Sequence, residues 1–209
     1  MNNRMKETER YTEILDLSTI HPQIFIIDMV NGFCKEGALA DQEILKIVDP
    51  IKELLEQTDS SKQIFIADTH LTTDIEFEAF PPHCLKGTNE AEIIDELMPY
   101  VKTKIIEKNT TNAFHELIKD ENRHLLEELD TDSCILVGCC TDICVMQFAL
   151  SLRTWMNAVG MKKRILIPRN CIETFNSSSH DAFEKNEAAC DLMSEAGIEI
   201  VQAVERRTL

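Results

Sequence analysis

The sequence has no long apolar run and no cluster of basic residues. None of its hydrophobic stretches approaches the roughly 20 residues that a membrane-spanning helix needs. Lysine and arginine number 21 against 37 aspartates and glutamates, which gives a formal charge of −16. Because nucleic-acid binding depends on clustered cations that displace counterions, this balance disfavours nucleic acids and anionic membranes as partners.

Export signals and cofactor-binding loops are also missing. Residues 1–20 are charged and amphipathic and lack the apolar core of a signal peptide, so we expect a short N-terminal helix or arm. Eight cysteines are a modest share of 209 residues, which favours a reducing, cytoplasmic setting over a disulfide scaffold. Neither G-x-G-x-x-G nor G-x-x-x-x-G-K-[ST] occurs, which disfavours a nucleotide cofactor.

Short apolar runs alternate with amphipathic helical patterns along the chain. The strand candidates are residues 23–28, 63–68, 103–108, 134–138, 164–168 and 198–201. The helical patterns cover roughly residues 41–57, 89–99, 115–129, 142–157 and 180–196. Continuous apolar strands are typical of a parallel sheet that is covered on both faces. The sequence therefore predicts one α/β domain over residues 21–209, with a doubly wound, mostly parallel six-stranded sheet and helices on both faces.

Reactive side chains stand where the first four predicted strands end. Asp28 ends the first strand, Asp68 ends the second and His70 follows it, Lys108 ends the third, and Cys144 follows the fourth. Ligands of open α/β sheets bind beyond the carboxyl ends of the strands. We therefore expect these side chains to meet at one edge of the sheet.

Cys144, Asp28 and Lys108 form a candidate nucleophilic unit. A cysteine in the first turn of a helix experiences a field that favours the thiolate, and backbone amides of the turn can bind an oxyanion. A nearby aspartate can move the thiol proton, and a lysine can stabilise negative charge. Each residue also has a structural explanation: a buried small hydrophobe, a loop cap and a surface lysine, respectively.

The loop after the second strand contains a candidate metal site. Asp68, His70 and His83 supply a carboxylate and two imidazoles, and Glu76 can add another oxygen. Such a set without thiolates suits zinc, manganese or iron(II). The alternative for His83, which follows two prolines, is that it hydrogen-bonds only to a loop carbonyl.

Five motifs in order resemble the isochorismatase-like cysteine hydrolases, and within them the nicotinamidase/pyrazinamidase branch. The resemblance extends over about residues 22–203. The motifs are IIDMVNGF (26–33), ADTH (67–70), FPPHCLKGT (80–88), EKNTTNAF (107–114) and GCCTDICV (138–145).

The resemblance implies a role for each matching position. Cys144 is the nucleophile, Asp28 the general base and acid, and Lys108 the third member. The backbone amides of Cys140 and Cys144 form the oxyanion hole, and the Cys139–Cys140 peptide is cis. A divalent metal (zinc first, then manganese or iron) is bound by Asp68, His70 and His83, with Glu76 as either a fourth ligand or a partner of bound water. Phe33 and Phe80 lie on either side of the substrate ring. In the family, the metal holds the ring nitrogen of nicotinamide.

The sequence departs from the family pattern near these positions. Phe80 stands where many nicotinamidases have Trp, Asn112 replaces the usual Ser, and Glu76 stands where some members have His. The implied reaction is nicotinamide plus water to nicotinic acid plus ammonia through a cysteine thioester, a step of NAD salvage. The partner is then a small amide, and the family pattern also implies self-association. The alternatives are another small-amide hydrolase of the family, or a non-catalytic binding protein with the same fold.

Overall fold

The computed structural model describes residues 11–127 and 130–206. In these ranges the strands are β1 (Ile14–Asp16), β2 (Pro22–Ile27), β3 (Gln63–Asp68), β4 (Ile106–Lys108), β5 (Ser133–Cys139), β6 (Arg164–Pro168), β7 (Ile172–Glu173), β8 (Glu199–Val201) and β9 (Ala203–Glu205). The α-helices are α1 (Asn31–Cys34), α2 (Val48–Glu56), α3 (Phe114–Leu117), α4 (Met146–Val159) and α5 (Ala182–Glu195). Across the described residues, no helix combines the length and the apolar character that crossing a bilayer requires.

The first strand of the main sheet, β2, lies near its centre, and later strands are added on both sides of it. Its order is β4-β3-β2-β5-β6-β8, every pairing is parallel, and the short β7 pairs with the end of β5. The chain moves outward from β2 to β4, then returns to the other side of β2 with β5. The order therefore reverses between β2 and β5, the position at which open α/β sheets bind ligands.

Successive side chains of a strand point to opposite faces of the sheet, and here both faces are apolar. In β2, Ile24 and Ile26 belong to one buried cluster, while Phe25 and Ile27 belong to the other. The first cluster is completed by α2, and the second by α4 and α5. Helices thus cover both faces, and the predicted doubly wound α/β fold is confirmed.

The strand count differs from the expected six because β7 adds a short seventh member to the main sheet. The third strand is also shorter than expected, since only Ile106–Lys108 pairs with β3. A separate two-stranded sheet joins β1 to β9. The predicted N-terminal helix or arm lies outside the described residues up to position 10. Residues 11–20 contain β1 and a 3₁₀ turn, and the boundary at residue 21 stays a prediction.

The helix expected at 89–99 is wrong. This segment has only short 3₁₀ turns at its ends, and its middle lies against the loop after β2. The Asn31 amide donates to the Glu92 carbonyl at 2.9 Å, and the Ile94 amide donates to the Met29 carbonyl at 3.0 Å. Bonds between distant segments therefore replace the helical bonds that the periodicity predicted. The helix expected at 115–129 is limited to α3 and a 3₁₀ turn at Arg123–Leu125, with residues 128–129 outside the description.

Gly138 allows β2 and β5 to approach closely where the sheet order reverses. Its φ is +116°, and a Cβ atom there would stand 2.0 Å from the Ile27 carbonyl oxygen.

Since both the conformation and the space exclude a side chain, we expect Gly138→Ala to lower the free energy of unfolding by more than about 3 kcal/mol in urea titrations. Gly160 is the matched control, because its φ is +72° and nothing lies within 4 Å of the added Cβ. Gly160→Ala should cost only about 1–2 kcal/mol, the conformational penalty alone. Equal losses in the two variants would contradict the proposed steric role of Gly138.

Candidate active site

Parallel register brings four chemically active residues to one edge of the sheet. Asp28 follows β2, while Asp68 and Lys108 are paired at the ends of β3 and β4. Cys144 lies in a π-helical turn, Thr141–Val145, between β5 and α4. The sheet-edge placement expected from the sequence is therefore present, at the point where the strand order reverses.

Lys108 lies at the centre of this group. Its ammonium nitrogen is 2.8 Å from Asp28 Oδ2, 2.6 Å from Asp68 Oδ1 and 4.0 Å from Cys144 Sγ. Lys108 is 1% exposed, so the alternative of a surface lysine is wrong. Asp28 and Asp68 are also buried, which strengthens the attraction between these charges.

One ammonium shared between two buried carboxylates gives them different proton affinities. Burial raises the pKa of Asp28 to about 6, although Lys108 limits the rise. Burial alone would also raise the pKa of Asp68, but the charge of Lys108 and the close contacts with His70 and His83 hold it below its usual range. Burial alone would lower the pKa of Lys108, whereas Asp28 and Asp68 together raise it well above its ordinary value. Asp28 is therefore the carboxylate suited to accept a proton.

Asp28 is held in an unusual conformation. Its φ of 53° is in the left-handed region, which residues other than glycine seldom adopt. Its amide donates to the Ile66 carbonyl at 3.0 Å, and the Cys139 thiol donates to its carbonyl at 3.1 Å. Within the described residues, neither carboxylate oxygen has a well-directed hydrogen bond, although Oδ2 is paired with the Lys108 charge. The side chain can therefore bind a proton without losing an existing directed hydrogen bond.

The thiol of Cys144 differs from the expectation of a stabilised thiolate. Burial raises its pKa well above the ordinary value, despite the opposing charge of Lys108. A helix start at a buried position is therefore insufficient to ionise the thiol, and a base has to take its proton. In the same turn, the Cys140 carbonyl accepts from the amides of Ile143 and Val145, each at 3.1 Å. The Cys139–Cys140 peptide is cis, as expected.

Asp68, His70 and His83 form a compact group of possible metal ligands. Asp68 Oδ2 lies 3.0 Å from His70 Nε2 and 2.9 Å from His83 Nε2. Each residue offers one possible ligand atom, and these three atoms all lie within 4.8 Å of one another. All three residues are buried.

The partners of the two imidazoles test whether this group fits a cation. His83 Nδ1 is 2.8 Å from the Pro81 carbonyl, which can only accept, so Nδ1 carries the hydrogen. His70 Nδ1 is 3.1 Å from Asp74 Oδ2, which indicates the same tautomer. Both Nε2 lone pairs then point at an Asp68 oxygen that is itself an acceptor. Imidazoles oriented in this way by a carbonyl and a carboxylate are typical metal ligands, so the donor set fits a divalent cation.

Glu76 lies beside this group and is anchored separately. Its Oε2 accepts from the Thr111 amide at 3.1 Å, and its Oε1 is 3.9 Å from His70 Nε2. One oxygen is thus turned towards the possible metal position. Its role as a fourth ligand stays a prediction.

A cleft of about 510 Å³ gives access to both groups. Phe33 and Phe80 line it, with ring centres 5.6 and 6.3 Å from the centre of the His83 ring. Cys140 and Cys144 border the same space as His83. The cleft can therefore hold a small flat molecule in contact with both groups.

The sequence analysis missed one residue behind the possible metal ligands and three that line the cleft. Asp74 contacts His70 Nδ1, and its position four residues after His70, in a loop rich in acidic groups, was an available signal. Phe175, Asn176 and Ser177 also line the cleft, but they follow a two-residue strand and have no periodic pattern. Nothing in the sequence alone marks these three residues as cleft residues.

Comparison with known proteins supports one family. The family model described as "Isochorismatase domain" matches residues 22–201. "Nicotinamidase 1" of Arabidopsis thaliana is 28% identical over 178 residues, covering 76% of this chain and 72% of that protein. "Nicotinamidase" of Saccharomyces cerevisiae is 23% identical over 187 residues, covering 69% and 85%.

Solved structures show the same fold. The nicotinamidase/pyrazinamidase of Acinetobacter baumanii has a TM-score of 0.70 and 21% identity over 87% of this chain and 96% of its own. The N-carbamoylsarcosine amidase of Thermoplasma acidophilum has a TM-score of 0.67 and 23% identity over 88% and 96%. At these identities the likeness concerns the fold and leaves the substrate open.

Metal content gives a direct test of the Asp68, His70 and His83 group. We expect protein loaded with zinc and then desalted to retain about one equivalent by elemental analysis. His83→Ala should retain less than about a tenth of that amount, because it removes one of three donors. Asp74→Asn should weaken zinc binding by about 10–100-fold, since it disturbs only the orientation of His70.

Two variants control this measurement. His115 is exposed on α3, so His115→Ala should retain metal like the unsubstituted protein. Cys144→Ala should do the same, because the thiol is not a donor in the group. Retention of metal by His83→Ala, or its loss from Cys144→Ala, would show that the ligands are assigned wrongly.

Proposed function

The chain belongs to the isochorismatase family, and we propose that within it the protein is a nicotinamidase-type amidohydrolase. The reaction is the hydrolysis of nicotinamide to nicotinic acid and ammonia. The observation that carries the proposal is the position of the Cys144, Lys108 and Asp28 group in one cleft with Asp68, His70 and His83. The similarity to curated nicotinamidases gives independent support.

The first half of the proposed reaction forms a thioester. Asp28 takes the proton of the Cys144 thiol while the sulfur attacks the carboxamide carbon. The backbone amides of Cys140 and Cys144 hold the negative oxygen of the tetrahedral intermediate. Asp28 then gives its proton to the departing nitrogen, and ammonia leaves. Lys108 keeps its charge throughout and stabilises the anionic sulfur and carboxylate.

The second half returns the enzyme to its starting state. Asp28 takes a proton from a water molecule that attacks the thioester carbon. The tetrahedral intermediate collapses, the carbon–sulfur bond breaks, and the proton on Asp28 returns to the Cys144 sulfur. Nicotinic acid leaves the cleft, and both protons of the water are accounted for in the acid and the thiol before the acid ionises.

The cleft residues orient the substrate for these steps. Phe33 and Phe80 would stack on the pyridine ring, since flat rings bind well between aromatic side chains. Asp68, His70 and His83 would hold a divalent cation, for which zinc is the first candidate, with Glu76 close by. When bound, the cation supplies an attachment point for the ring nitrogen, as the family pattern implies.

A second candidate is an amidase of the same family that acts on a different small amide. An N-carbamoylsarcosine amidase has a similar fold, so the same fold can serve the hydrolysis of another small amide. Comparing several small amides at equal concentration separates the two, because a nicotinamidase should show its highest kcat/KM on nicotinamide.

Ammonia release tests the proposed reaction. We expect zinc-loaded protein to release one ammonia per nicotinic acid formed from nicotinamide. Cys144→Ala should lower kcat by at least about 10⁴-fold, because no other group can form the thioester. Its circular dichroism spectrum and metal content serve as controls for the fold. Metal-replete protein that releases no ammonia from nicotinamide would rule out the proposed substrate.

The acid side of the pH profile should follow Asp28. Its pKa is raised to about 6, and the proposed base must be ionised, so kcat/KM is retained above that pH. Below about pH 6 we expect a loss of about tenfold per pH unit as the carboxylate binds a proton. Asp28→Asn should abolish turnover at every pH.

Metal ligands must be deprotonated to bind, so acid also weakens metal binding, and metal content has to be measured at each pH. A fall in kcat/KM with metal retained agrees with the proposed role of Asp28. A flat profile down to about pH 5 in metal-replete protein would contradict it.

A further inference from the structure

A second hydrogen-bonded group lies beside the turn that carries Cys144 and has no part in the steps above. Asp142 Oδ1 accepts from the Thr174 hydroxyl at 2.6 Å, and Asp142 Oδ2 is 2.8 Å from His180 Nε2. His180 Nδ1 is in turn 2.9 Å from the Phe175 carbonyl oxygen. Side chains thus connect the turn before Cys144 to the segment at 174–180.

Residues 174–177 of this segment form one side of the cleft, and we call them the wall. Phe175, Asn176 and Ser177 border the same space as Cys144. Residues 174–176 belong to no helix or strand, so backbone pairing does not fix their position. The wall is instead held by the bonds from Asp142 and His180, and by the Asn176 amide, which donates to Asp41 Oδ2 at 2.8 Å.

His180 is unusually well placed to hold the wall. It closes the turn that begins at Ser177 through backbone bonds of 2.9 and 3.2 Å in the two directions. Its ring is stacked on the Phe175 ring, with centres 3.9 Å apart and planes at 13°. One residue therefore contacts the wall through its backbone, its ring face and a ring nitrogen.

Both ring nitrogens of His180 have a polar partner. Nδ1 is directed at the Phe175 carbonyl, which can only accept a hydrogen bond, so Nδ1 carries a hydrogen. Nε2 is directed at the Asp142 carboxylate. Hydrogen bonds that are mostly shielded from water are stronger than exposed ones. The side chains of Asp142 and His180 are each 13% exposed, so this condition is met.

We propose that Asp142 and His180 are positioning residues, which hold the wall against the Cys144 turn and so determine how the acyl part of the substrate is bound. The wall borders the cleft, whereas the hydrogen bonds of Asp142 and His180 lead to Thr174 and Phe175 and not to Lys108 or Asp28. The pair should therefore act on substrate binding more than on the chemical steps. The choice of nicotinamide as substrate rests on the proposed function, but the wall itself can be tested without it.

The test uses His180→Phe, which keeps a ring on Phe175 and removes both ring nitrogens. Hydrogen–deuterium exchange should be at least about tenfold faster for the amides of residues 174–180 and unchanged in β2 and β5. With nicotinamide, KM should rise about tenfold while kcat stays within about threefold. His124→Phe is the control, because His124 is exposed and distant in sequence from the wall.

Variants at Asp142 separate positioning from general support of the fold. Asp142→Ala should reproduce the KM increase of His180→Phe, because it removes the acceptor of both bonds. Asp142→Asn should restore a KM close to that of the unsubstituted protein. Its amide oxygen still accepts from Thr174, and its amide NH₂ can donate to His180 Nε2. If His180→Phe does not fold, this pair of Asp142 variants carries the test alone.

The outcomes distinguish this inference from the proposed function. An unsubstituted protein that does not hydrolyse nicotinamide defeats the proposed function, and exchange at 174–180 then decides the positioning role by itself. Unchanged exchange in His180→Phe and Asp142→Ala overturns the inference. Faster exchange with an unchanged KM in an active enzyme also overturns it, because the wall would then have no influence on substrate binding.

Discussion

The candidate site depends on one buried ammonium group placed between two carboxylates. Lys108 balances part of the charge of both Asp28 and Asp68 in a region from which water is excluded. Without it, two buried negative charges would face each other beside the Cys144 sulfur, which is energetically unfavourable. Because Asp68 has the shorter contact with Lys108 and also lies against two imidazoles, Asp28 is left with the higher proton affinity. A single cation thus gives two chemically identical side chains different properties, one suited to proton transfer and one to holding a cation.

Asp68 also joins two halves of the site that are distinct in chemistry. Its Oδ1 faces Lys108, and its Oδ2 faces His70 and His83. Asp68 therefore lies between the possible metal position and Lys108, which contacts the sulfur of the proposed nucleophile. A change in the charge of His70 or His83 would change the electrostatic environment of the Cys144 thiol through Asp68, whichever amide the protein hydrolyses.

Much of this arrangement could be predicted because it follows from strand ends. Asp28, Asp68 and Lys108 end buried apolar strands, and parallel pairing brings such positions together. The rest depends on contacts between segments that no local pattern encodes. The 89–99 segment has helical periodicity, yet its amides and carbonyls bond to the loop after β2. Likewise, the high pKa of the Cys144 thiol results from burial by distant residues, and the bond between Asp142 and His180 joins positions 38 apart.

The strand that supplies Lys108 is the shortest of those that bring residues to the site. β4 contains three residues and lies at the outer edge of the sheet, where β3 is its one partner strand among the described residues. Beyond this pairing, the Thr69 amide donates to the Lys108 carbonyl at 2.7 Å. Edge strands separate from a sheet more readily than central ones, so local fraying here would remove the ammonium group while the remaining strands stay folded. The candidate site would consequently come apart at a lower denaturant concentration than the rest of the sheet.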